Sequence, residues 1–247
     1  RDRLRSRGLG DVYKRQGGVG VGMRNAAAVN LLNPAAYSAV RPKSFLFDFG
    51  LEGQCFYNSQ KYYGQTLNTS YYTVNFHDIA FQLPIAKHLG LGFSLTPYSS
   101  VGYRMKQEVD DDEIWGNIGR VQYQWDGDGD VTEVKLGLGW EIFRGFSIGI
   151  AAQYYWGDIQ RIYKTAILEN ITGGGLIADA TGTETYSVSR FKGQFGVQWS
   201  PISNRRRILT IGATYDIGGD LNPNVTTKVQ TGDIFNTVAM DTVSYTH

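Results

Sequence analysis

Cysteine occurs once in the 247 residues, at Cys55. A disulfide framework and a thiolate metal site are therefore both excluded. Histidine is nearly as rare: His77, His88 and His247 do not cluster, and no pair has the spacing of a zinc-binding helix. The net charge is +1, which invites neither nucleic acid nor a polybasic contact with a membrane. No apolar run reaches the length of a transmembrane helix, and mean hydropathy is −0.28. Those features exclude a helical membrane protein. They do not exclude a membrane barrel, whose lumen side and loops dilute the average. No secretory signal is visible. No Gly-x-Ser-x-Gly elbow is present, and nothing in the chain suggests an enzyme or a cofactor.

Glycine is abundant at 31 and tyrosine at 16. Hydrophobicity alternates with the period of a β-strand. In the clearest segment Phe146, Ile148, Ile150, Ala152, Tyr154 and Trp156 share one face, while Ser147, Gly149, Ala151, Gln153, Tyr155 and Gly157 share the other. The same alternation sets Phe45, Phe47, Phe49 and Leu51 against Asp48, Gly50 and Glu52. It recurs as Leu89–Leu95 around Gly90 and Gly92, and as Val134–Ile142 around Lys135, Gly137, Gly139 and Glu141. Phe191–Trp199 alternates with Lys192, Gln194, Gly196 and Gln198, and Leu209–Ile217 with Gly212 and Asp216. With 19% of the chain charged, none of the apolar faces carries a charge. A Lys or Arg facing mid-bilayer costs roughly 2–4 kcal/mol, so this is the pattern an outer-membrane strand requires.

The turns near Pro84–His88, Phe143–Gly145 and Pro201–Arg206 are short, whereas 58–70, 106–130 and 158–184 read as long polar excursions. Val121–Trp125 could pair back on Val101–Met105 as a projecting hairpin. Short turns at one rim and long loops at the other are the layout of a bacterial outer-membrane barrel. The expectation is an all-β, antiparallel, up-and-down transmembrane β-barrel. It is partial, with seven strands or eight (the last at 224–231), and holds an N-terminal luminal plug. Residues 17–43 would be the plug and 44–242 the barrel. Residues 1–16 and 243–247 look like translated adapter sequence and are expected to be non-native tails, in which case the signal sequence and later strands are missing.

Residues 17–40, running from Gly17-Gly-Val-Gly-Val-Gly22 through Asn33-Pro34-Ala35-Ala-Tyr-Ser-Ala-Val40, resemble the N-terminal region of the long-chain fatty-acid transporter (FadL-type) family. The layout is similar over 17–225, and only 17–50 is motif-like. The resemblance implies a plug folded inside the barrel, with Asn33, Pro34 and Ala35 as its motif. It also implies a third-strand kink that opens the wall sideways, matched by Thr96, Pro97, Tyr98, Ser99 and Ser100. Physically, Pro97 removes a ladder hydrogen bond, so a bulge or inward kink is expected there.

Other motifs are weaker. Gly18-Val-Gly20-Val-Gly22 lacks the βαβ context of a dinucleotide site and suits close packing in a lumen. A run so rich in Gly should not hold a helix, whereas Asn25–Leu32 could form a turn or two, ended by Asn33-Pro34. Asp126, Asp128 and Asp130 have calcium-loop spacing, but Gly137 stands where the loop's Glu belongs. A solvated loop tip is expected there, with a weak divalent site as the alternative. His77 and Asp78, adjacent in a strand, should point to opposite faces and not pair. Arg205, Arg206 and Arg207 read as a solvated rim turn or a contact for a periplasmic partner.

The function expected on this basis is passive passage of hydrophobic small molecules across the outer membrane. Tyr103, Trp115 and Trp125 would capture them, the plug would gate, and the wall near Pro97 would release them into lipid. The main alternative keeps the fold and makes the chain a secretion or surface-attachment partner of a periplasmic or surface protein. A third, a soluble lipid-binding barrel, would invert the two faces.

Overall fold

The computed structural model describes residues 19–62, 65–109, 119–170, 180–203, 208–231 and 239–246. They form one antiparallel sheet of nine strands: β1 (Leu46–Tyr62), β2 (Gln65–Ala86), β3 (Leu89–Glu108), β4 (Gly119–Phe143), β5 (Phe146–Asn170), β6 (Ala180–Ser203), β7 (Ile208–Ile217), β8 (Asn224–Thr231) and β9 (Ala239–Thr246). Sequence neighbours are sheet neighbours from β1 to β6. Beyond β6 the order branches: Gly193–Ser203 of β6 pairs with β7, and Ala180–Ser187 pairs with β8, which in turn pairs with β9. The up-and-down all-β architecture is thus present as an open sheet rather than a closed barrel, with β1 at one end of the order and β9 at the other. Among the described residues no helix is long and apolar enough to cross a membrane, which says nothing of strands.

The chain divides into two compact units. The first comprises Arg1–Pro97, Glu133–Tyr154 and Phe191–Gly219, the second Tyr98–Thr132, Tyr155–Arg190 and Asp220–His247. In the first unit the alternation is realised with the polar side inward. Phe47, Leu136, Trp140, Ile150, Phe195, Trp199 and Ile211 are all at least half exposed, while Gln82, Lys135, Ser147, Gln194 and Gln198 are buried. Leu138, at 38% exposed, lies on the outer side too. Of the other charges that alternate with these apolar residues, Glu52, Glu141 and Lys192 are partly covered, while Asp48 and Asp216, on β1 and β7, lie open. A soluble lipid-binding barrel requires the reverse, so that alternative is excluded. In the second unit Tyr98 meets Tyr155 edge-on, the Arg161 guanidinium lies over the Tyr186 ring, and Arg104 pairs with Asp126 at 3.0 Å.

The long polar excursions are shorter than expected. β1 and β2 approach to within two residues of each other in sequence, β3 extends to Glu108, β4 starts at Gly119, and β5 extends to Asn170. Val109 N–H donates to the Val121 carbonyl at 2.9 Å, continuing the hairpin past the end of β3. Ladder hydrogen bonds do not need an apolar face, so strands persist where the hydropathy signal has faded. β9 was not foreseen.

Candidate functional site

Residues 19–40 pack against the polar face of the first unit. One helical turn, α1 (Val19–Gly22), forms despite its glycines. It is held from outside: Asn30 donates to the Gly20 carbonyl, and Asn33 and Gln198 both donate to that of Val21. Asn25–Leu32 is a series of bends, not a helix. Pro34 begins a 3-10 helix, Pro34–Ala39, rather than ending an earlier one. Proline suits the first helical position because its missing N–H would be unpaired there anyway. Asn33 is the N-cap and is fully buried. Its Oδ1 accepts from Ala35 N–H at 3.0 Å, and its Nδ2 donates to the carbonyls of Val21 at 2.9 Å and Val197, on β6, at 3.1 Å. One side chain therefore caps the helix, ties it to α1 and fixes both to the wall.

The wall opposite this segment is paved with glycine. A Cβ added at Gly90 would strike the Tyr37 carbonyl, and one at Gly92 would come within 2.6 Å of the Tyr37 ring. At Gly137 it would lie 2.9 Å from that ring. At Gly139 it would meet the backbone of Pro34 and Ser38, at Gly149 that of Pro34 and Ala35, at Gly196 the Asn33 amide, and at Gly212 the Val21 carbonyl. These glycines come from β3 to β7 and sit on the same face. Tyr37, Ala35 and Ala36 are consequently almost without solvent exposure.

Polar side chains bind the rest of the plug. Gln82 donates to the Asn30 carbonyl, Lys135 to that of Leu31, and Gln198 to that of Met23. Arg24 donates to Ser38 and Ser147, and its guanidinium stands 3.6 Å from Glu141. Glu141 also meets His88 at 3.0 Å and accepts from Gly145 N–H at 3.0 Å, so it joins two rim turns to the plug. Burial lowers the Arg24 pKa, with Glu141 opposing. For Tyr37, burial first and the Glu133 charge second push hydroxyl ionisation well above its ordinary range.

The remaining predicted residues are scattered. Pro97 does not interrupt β3, which runs straight through it. Pairing of β3 with β2, however, ends at Ile79–Leu95, just before Thr96 and Pro97, and Pro97–Ser100 are exposed. The bulge lies instead in β2. Gly50 faces Asp78 while Leu51 faces Phe76, leaving His77 as the extra residue. That bulge overturns the expectation that His77 and Asp78 diverge: His77 Nδ1 and Asp78 Oδ1 are hydrogen-bonded, with Asp78 buried and Gly50 leaving room for both. Tyr103 rests on Gly127 and Trp125 on Tyr123, and no ring contact joins Tyr103 to Trp125. Trp115 and Arg205–Arg207 lie outside the described residues. Asp126, Asp128 and Asp130 are in β4, not at a loop tip. Side chains two apart on a strand stand nearly 7 Å from each other and do not converge on an ion. Asp126 instead takes Arg104 and Gln124, and among the described residues no group of acidic, His or Cys side chains could hold a metal.

A family model described as BamG matches residues 5–246. No curated protein and no solved structure matches. The match overturns the expected membership of the long-chain fatty-acid transporter family, which rested on a short motif, and with it passive fatty-acid transport and lateral release near Pro97. It supports an outer-membrane association and β structure, and it favours the partner alternative over the transporter.

Proposed function

We propose that this chain, which belongs to the BamG family, serves as a membrane-embedded protein partner in outer-membrane protein biogenesis, and works by docking rather than by conducting. Two observations support the reading. The apolar side chains face out and the polar ones face in, as a lipid-facing wall requires. The polar face is filled by the chain's own Val19–Val40, pressed backbone to backbone against the glycines of β3 to β7. A polar face filled in that way is a scaffold, and its working surface is the rim of short turns.

The carrying observation is the family match over nearly the whole chain. The test is cross-linking in cells followed by purification of a tagged chain from detergent-extracted outer membranes. Components of the Bam complex should co-purify with it. Steady conductance in planar bilayers by the wild-type chain, with no assembly partner recovered, would refute the proposal.

A further inference from the structure

We infer that the short-turn rim of the first unit is a binding surface for the phosphate headgroups of anionic glycerophospholipids. The inference rests on the embedded reading above and adds a ligand to it.

The near-neutral total charge hides a local segregation. Arg41 and Lys43 precede β1, Lys87 lies in the β2–β3 turn and Arg144 in the β4–β5 turn, and all are exposed. None makes an ion pair among the described residues. No Asp or Glu occurs in residues 40–47, 84–89 or 142–147. Glu141, three residues before Arg144, is already engaged by Arg24, His88 and Gly145, and Asp48 lies further along β1. The turns are contiguous, because Glu141 N–H donates to the His88 carbonyl at 2.8 Å and Ser200 N–H to that of Gly145 at 2.6 Å.

Within two residues of Lys43, Lys87 and Arg144 stands an exposed apolar side chain: Phe45 at 60%, Ile85 at 53% and Phe143 at 59%. Cations just above an apolar band are placed to reach phosphates while their stems stay in the interface. Lys43 adds an independent hint. Its φ is 61°, in the left-handed region where glycine would be easier, yet the position carries a charge. An acidic protein segment would satisfy the charges equally well, but it would have no use for Phe45, Ile85 and Phe143 pointing sideways into the membrane.

The full chain is purified in mild detergent and incubated with phosphatidylglycerol and phosphatidylcholine, and retained lipid is counted by native mass spectrometry. The wild type should retain phosphatidylglycerol preferentially, and salt should weaken the preference. Combining Arg41→Gln, Lys43→Gln, Lys87→Gln and Arg144→Gln should abolish it, with a loss of up to about fivefold per cation at low salt. Lys106→Gln with Lys164→Gln, which removes exposed charge from the other unit, should leave the preference intact. Unchanged selectivity in the combined rim variant, with strand content intact by circular dichroism, would overturn the inference. Capture of poly-glutamate without any phosphatidylglycerol preference would overturn it too, and would assign the rim to an acidic protein. Partition of the wild-type chain into buffer rather than detergent would sink the embedded reading, and this inference with it.

Discussion

Alanine at Gly149 adds a single methyl group, yet it should loosen the whole N-terminal plug. The new Cβ would land on the Ala35 nitrogen and the Pro34 carbonyl carbon, and within 2.6 Å of the Pro34 oxygen. All three are backbone atoms of a capped helix, so no rotamer change relieves the overlap. Overpacking of this kind costs about 1–3 kcal/mol. If the plug yields rather than the sheet, that cost falls on the equilibrium between seated and released plug. Tryptic cleavage at Arg24, which is held by Ser38, Ser147 and Glu141, tracks that equilibrium when opening and reclosing outpace cleavage. The expected acceleration is about fivefold to about 150-fold, with the strand signal in circular dichroism retained. Gly193→Ala is the control, since nothing lies within 4 Å of its added Cβ. It should leave cleavage at the wild-type rate. Equal protection of Arg24 in Gly149→Ala and Gly193→Ala would refute the idea that the glycines exist to admit the plug.

Asn33→Ala removes the cap and strands the Ala35 N–H, and should cost about 2–4 kcal/mol of plug stability, read by the same cleavage assay. Tyr37 gives a pH signature. Its folded pKa is raised above the unfolded value of about 10, so its contribution is complete below that pH and is lost as pH rises further. Thermal stability should therefore fall above about pH 10, and less steeply in Tyr37→Phe; identical profiles would argue against a desolvated hydroxyl. His77→Ala leaves the buried Asp78 carboxylate without its partner, at about 1.5–3 kcal/mol, and should lower the melting temperature of the detergent-solubilised chain.

The strands were legible because lipid-compatible and polar side chains alternate, and Ile150 against Gln153 or Trp199 against Gln198 came out on the sides their chemistry demands. The glycines at 90, 92, 137, 139, 149, 196 and 212 were visible as small residues on the polar face. That they form a seat could not be read, because the seat exists only once distant strands are aligned. The His77–Asp78 pair was hidden for a related reason. A single inserted residue reverses the alternation, and only the register between β1 and β2 reveals it. The outer parts of the hairpins failed through the opposite fault: regular backbone bonding continues there without any hydropathic mark. The rim cations escaped notice because total charge averages over surfaces that the fold keeps apart. The family assignment went astray on Asn33-Pro34-Ala35, a motif whose physical job of capping a short helix many architectures could share.

The bonds that seat the plug run a long way back along the chain. Asn33 meets a carbonyl 164 residues downstream, and Gln198 reaches one 177 residues upstream. Residues 19–40 are synthesised before these partners and must therefore wait, their carbonyls unmet, until β6 and β7 are laid down. Contacts of such separation form late and slowly, because loop closure is paid in advance. Until then the polar face of β3 to β7 stands open to water, with nothing pressed against the glycines that line it.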